Sequence, residues 1–87
     1  MYEIEFTFEA QRHLNRLPEK VRDAAFALLL GGISENPKRV GKPLVGALEG
    51  LHSARRGDFR IIYEIDAAEL VVIVHRIQHR ADVYRPR

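Results

Sequence analysis

A chain of 87 residues and 10.0 kDa has room for one domain with one modest core, and the absence of cysteine excludes disulfides, thiolate metal sites and a cysteine nucleophile. A composition of 46% hydrophobic and 30% charged residues is that of a folded globular domain. The acidic opening MYEIEFTFEAQ lacks the basic flank of a signal peptide, and the apolar runs fall far short of a bilayer span, so a single cytoplasmic domain over residues 1–87 is expected, with no membrane contact.

Tyr2 to Thr7 alternates polar and apolar residues and predicts a strand, after which Thr7 is placed to cap a helix running through Leu17. Ala10, Leu14 and Leu17 form the apolar stripe of that helix. Pro18 suits the first turn of a second helix, whose buried side would use Val21, Ala25, Leu28, Leu29 and Ile33. Gly31-Gly32 followed by Asn36-Pro37 predicts its end. Lys38 to Gly50, with three glycines, a proline and three basic residues, reads as an exposed connection able to touch a polyanion.

Three strands are expected after it, at Leu51 to Arg56, Phe59 to Ile65 and Leu70 to Ile77, joined by the two-residue turn Gly57-Asp58 and by a turn over Asp66 to Glu69. The sum is an α+β domain: an N-terminal strand, a two-helix hairpin, then a three-stranded antiparallel meander in one mainly antiparallel sheet, with the first strand at an edge.

The net charge of +2 conceals an asymmetry. Residues 1–35 carry four basic and six acidic side chains (−2), and residues 36–87 carry ten and six (+4). Every basic residue after Lys42 is arginine, whose planar fork suits bidentate phosphate contacts. A two-residue turn at Gly57-Asp58 sets Arg55 opposite Arg60, Arg56 opposite Phe59, His52 opposite Tyr63 and Ser53 opposite Ile62. Alternation then turns Phe59, Ile61, Tyr63 and Ile65 toward the helices, and Arg60, Ile62, Glu64 and Arg55 away from them. Two opposed arginines cost a sheet roughly 0.2 to 1 kcal/mol, so fold stability does not ask for them and an anion does. Carrying the same register through the second turn pairs Ile65 with Leu70 and sets His75 beside Arg60. The strand then runs into His79, Arg80 and Tyr84, so one surface would gather guanidinium groups, an imidazole and a phenol, a plausible phosphodiester site. The plainer alternatives are a solvated basic face, with Arg60 paired to Glu64 or Asp82, His75 on the rim, and His79 and Tyr84 as loop residues.

The blocks KPLVGALEGLHSARRGDFRIIYEID, from Lys42 to Asp66, and HRADVY, from His79 to Tyr84, resemble the RelE family of the RelE/ParE toxin superfamily. The front half, with its short strand and LNRLPEKV, matches in pattern, so the resemblance covers nearly the whole chain. It implies a RelE-like fold and the toxin of a type II toxin-antitoxin system. Such a toxin is a metal-free endoribonuclease that enters the ribosomal A site and cuts the bound mRNA by attack of a 2′-hydroxyl on the adjacent phosphate. It also implies a cognate antitoxin as partner, with DNA contacted only through that antitoxin, and no cofactor.

Carried over by position, Arg60 resembles the phosphate-binding arginine, Arg80 a second essential arginine near the leaving group, and Tyr84 the tyrosine that stacks on a base. Arg55 matches one of two basic positions on the strand before the hairpin, the other being Ser53 here; Arg56 and Lys42 join Arg55 as expected RNA contacts. Guanidinium groups stay protonated at neutral pH and are poor bases, so His79 is the expected proton acceptor, with His75 or His52 behind it. A ParE-like gyrase inhibitor and a catalytically attenuated, antitoxin-binding relative are the competing readings. No Walker motif, dinucleotide fingerprint or metal-ligand spacing is present.

Overall fold

A computed structural model describes residues 1–79. Strand β1 (Glu3–Phe6) leads into α1 (Phe8–Arg16) and α2 (Glu19–Leu28), and after a π-helical turn at Leu29–Ile33 a single helical turn, α3 (Pro37–Val40), delivers the chain to β2 (Lys42–Pro43). A short 3-10 turn at Gly46–Leu48 then precedes β3 (His52–Arg56), β4 (Phe59–Asp66) and β5 (Val71–His79). The strands form one five-stranded sheet in the order β1-β5-β4-β3-β2.

The expected meander is present as β3, β4 and β5, and β1 lies at an edge as anticipated, but the sheet differs from the expected form in two ways. It has a fifth strand, because Lys42–Pro43 pairs antiparallel with β3, and it is mixed, because β1 pairs parallel with β5. With β2 on the β3 edge, β1 takes the outer edge of β5, and the helices together with β2, β3 and β4 make up the long connection that a parallel pair requires.

The helices cover one face of the sheet. Ala10, Leu14, Leu17, Ala25, Leu28, Leu29 and Ile33 meet Ala54, Phe59, Ile61, Tyr63, Val72, Val74 and Ile77 in one cluster. The helical half of that set is the stripe read from the sequence, save Val21, which is only partly buried. Thr7 caps α1 as expected, accepting a hydrogen bond from the Ala10 N–H at 3.1 Å, and its hydroxyl donates to the His75 carbonyl at 3.3 Å. The start of the helix is thereby fastened to β5.

The glycine pair does not stop the second helix. The helix widens into the π turn through Gly31 and Gly32, and Asn36, which caps α3 through its side chain, marks the break. Gly32 is where Val40 packs, since a Cβ there would lie 3.1 Å from Val40 Cγ2.

The connection after it is mostly exposed, as expected, with Gly41 as its one buried residue. Pro37 and Gly41 are buried, and the Tyr63 hydroxyl donates to the Pro37 carbonyl at 2.6 Å. A Cβ on Gly41 would collide with that hydroxyl and sit 3.1 Å from the Ser53 carbonyl oxygen, so only glycine lets β2 approach β3 here. Burial pushes the Tyr63 phenol up to about 12, opposed in part by a hydrogen bond from the Gly41 backbone.

Candidate phosphate-binding face

The hairpin between β3 and β4 has the register expected from Gly57-Asp58: Arg55 opposite Arg60, Arg56 opposite Phe59, Ser53 opposite Ile62 and His52 opposite Tyr63. Gly57 makes the tight turn possible with φ +56, a conformation costly for a residue bearing Cβ. Directly paired residues share a face. Arg55 and Arg60 therefore stand together on the face away from the helices, and Lys42, opposite Ser53, extends the same face toward the sheet edge. Arg56 does not join them, because it pairs with Phe59, whose ring is in the core.

The next turn departs from the expected register, and the departure redistributes the histidines. Ile65 pairs with Val72 rather than Leu70, because the chain from Ala67 to Leu70 forms the turn, with Asp66 accepting the Glu69 N–H at 3.1 Å and Leu70 at φ +56. A bulge between Ile62 and Tyr63 then adds one more residue to β5, so that Arg60 faces Gln78 in place of His75. The total offset of three residues is odd, which exchanges the faces of β5 beyond the bulge. His79 consequently pairs with Phe59 and lies on the helix side of the sheet, away from Arg60. His52 is on that side too, stacked on Tyr63 with ring centroids 5.8 Å apart.

His75 occupies the bulge, where its Nε2 lies 2.9 Å from Glu64 Oε1 on the outward face. Arg60 and Glu64 are four positions apart on one strand, about 13 Å between their Cα atoms. None of His52, His75 and His79 is thus paired across strands with Arg55 or Arg60. Arg80 and Tyr84, the other expected catalytic residues, lie outside the described residues.

One member of the face had no signal in the sequence. Gln78 Oε1 accepts a hydrogen bond from Arg60 Nε at 2.6 Å. The row Arg55, Arg60, Gln78 therefore crosses three adjacent strands, presenting two guanidinium groups of which one is anchored at Nε. With Nε engaged by Gln78, the two Nη groups of Arg60 are the pair suited to a bidentate contact with phosphate oxygens. No group of three or more His, Cys, Asp or Glu side chains able to hold a metal occurs among the described residues. Nor, among them, is any helix long and apolar enough to cross a membrane.

Residues 4–84 match the family described as the ParE toxin of type II toxin-antitoxin system, parDE. Toxin RelG of Mycobacterium tuberculosis is 44% identical over 84 residues, covering 97% of each chain. Toxin RelE of the same organism is 46% identical over 84 residues, covering 97% of this chain and 87% of its own. Among solved structures, a chain of the toxin-antitoxin complex RelBE2 from Mycobacterium tuberculosis superposes with a TM-score of 0.87 at 42% identity, covering 91% of this chain and 98% of that one. A match across almost the full sequence, together with a shared fold at this identity, means that the chain belongs to the RelE/ParE superfamily of type II toxin-antitoxin toxins.

Proposed function

We propose that this toxin is an endoribonuclease that cleaves mRNA in the ribosomal A site without a metal ion, acting in the cytoplasm and held in check by a cognate antitoxin. The observation that carries the reading is the cross-strand pair Arg55–Arg60 on the helix-free face, with Lys42 beyond it. A like-charge pair at adjacent sheet positions is a liability for the fold and an asset for binding a phosphodiester. In the proposed reaction the RNA 2′-hydroxyl attacks the neighbouring phosphorus, its proton passing to solvent, and the 5′-oxygen of the next nucleotide leaves and takes a proton from solvent, giving a 2′,3′-cyclic phosphate. Negative charge grows on the phosphoryl oxygens as this happens. Arg60, with Arg55 beside it and Arg80 completing the site, stabilises that charge, the largest contribution a fixed array of donors makes to a rate. Tyr84 stacks on a base at the cut.

The pairing of His79 with Phe59 weighs against the proton-accepting role expected of that residue. We assign the acceleration mainly to charge stabilisation. The pH-rate profile is then expected to keep its shape in both His79→Ala and His75→Ala; a limb lost in either variant would return that imidazole to the reaction.

The antitoxin follows from the relative of known structure, which was solved as a toxin-antitoxin complex. Any DNA contact is assigned to the antitoxin. The family match described as ParE favours a second reading, inhibition of DNA gyrase without cleavage. One experiment separates them: programmed ribosomes are incubated with purified wild type, Arg60→Ala and Arg80→Ala, and product 3′ ends are analysed beside a supercoiling assay. Cutting that needs both arginines and leaves a cyclic or 3′-phosphate end supports the nuclease. Inhibited supercoiling without cutting supports the gyrase reading, and neither activity identifies an attenuated toxin that acts as an antitoxin-binding partner.

A further inference from the structure

We propose that Gln78 is the positioning residue that aims Arg60 at its phosphate, an inference resting on the reading of Arg55 and Arg60 as a phosphate site. Register places Gln78 and Arg55 on either side of Arg60 in one row. Arg55 repels the Arg60 guanidinium, so that a long and otherwise mobile side chain would swing away from its neighbour toward solvent. The Gln78 amide opposes this by accepting the Arg60 Nε–H at 2.6 Å. Fixing Nε restrains the guanidinium plane and keeps the two terminal nitrogens as the edge that would bind two phosphate oxygens at once.

The chemistry of the anchor matters as much as its place. On the same strand, Arg76 is paired with a carboxylate, its Nε 3.8 Å from Glu9 Oε1, and His75 with Glu64 at 2.9 Å. A carboxylate at position 78 would hold Arg60 equally well while cancelling the charge that the phosphate needs. An amide orients the guanidinium and leaves its charge intact. Preorganisation of this kind removes side-chain ordering from the cost of binding.

The test uses full-length wild type, Gln78→Leu, Gln78→Glu, Arg60→Ala and Arg60→Ala/Gln78→Leu, with thermal midpoints as a folding control and Gln78→Thr as replacement should the leucine variant misfold. Two quantities are read: solvent exchange of the Arg60 Nε–H by NMR, and affinity for a short 2′-O-methyl oligoribonucleotide, which cannot be cut. Gln78→Leu is expected to speed Nε–H exchange and weaken binding roughly tenfold, with no further loss when added to Arg60→Ala. Gln78→Glu is expected to keep the Nε–H protected and still bind more weakly. Unchanged exchange in Gln78→Leu, an equal loss in the Arg60→Ala background, or absence of wild-type binding would overturn the proposal. Wild type that binds the oligonucleotide but cuts no mRNA on ribosomes would sink the nuclease reading and leave the role of Gln78 standing.

Discussion

On the side covered by helices, β4 contributes Phe59, Ile61 and Tyr63, each 5% exposed or less, whereas on the other side it presents partly exposed Arg60 and Glu64 on either side of the buried Ile62. The first set is chosen by packing and the second by charge, though both hang from the same eight residues. Neighbouring positions on one strand can therefore answer to different tests, and each face should be breakable without the other.

The largest effect is expected at Arg60. Arg60→Ala should slow mRNA cleavage about 100- to 1000-fold, roughly 3 to 4 kcal/mol of transition-state stabilisation, while leaving the thermal midpoint near that of wild type. A comparable drop in stability would mean that the two faces are not separable. Gly41→Ala is the converse: the new Cβ drives into the Tyr63 hydroxyl, and unfolding in denaturant should show a loss of about 3 kcal/mol.

Alkaline pH tests the same joint more gently. The folded phenol of Tyr63 titrates at about 12 against 10.0 for the free side chain, so the native state keeps a proton that the unfolded state releases. The stability this represents is complete below pH 10 and lost between pH 10 and 12, roughly 2 to 3 kcal/mol. Tyr63→Phe should abolish that slope while losing about 1 to 2 kcal/mol at neutrality, where the hydrogen bond to Pro37 is missing. A wild-type pH dependence that survives the substitution would assign it to another group. The smallest effect is expected at Thr7, where Thr7→Ala should cost about 1 kcal/mol by removing the cap of α1, visible as a lower thermal midpoint.

The sequence was most legible where local rules settle geometry. A two-residue turn admits one register, so the pairing of Arg55 with Arg60 could be read from Gly57-Asp58 alone. Helical periodicity similarly exposed Ala10, Leu14, Ala25, Leu28 and Ile33 as core. The β4–β5 register could not be read in this way. Leu70 is an unusual residue for a positive φ, and the bulge at Ile62/Tyr63 carries no residue signature. Together they moved Gln78 to the place assigned to His75 and put His79 on the far side of the sheet. The two-residue β2 was hidden for another reason, since a proline and nearby glycines argue locally for a loop and only pairing with β3, which local sequence does not announce, overrides them.

The fastening of α1 to β5 has a consequence for how the molecule comes into being. Thr7 is tied to His75, 68 residues further along, and β1 finds its partner only in Val71–Val74. A chain emerging during synthesis can form its helices and the β3–β4 hairpin from nearby residues, but it closes the sheet last, the slow step for contacts so distant in sequence. Gln78 arrives in that same final segment, so Arg60 acquires its anchor only when the fold is nearly finished. The proposed phosphate site is thus completed by the same docking of β5 that closes the sheet.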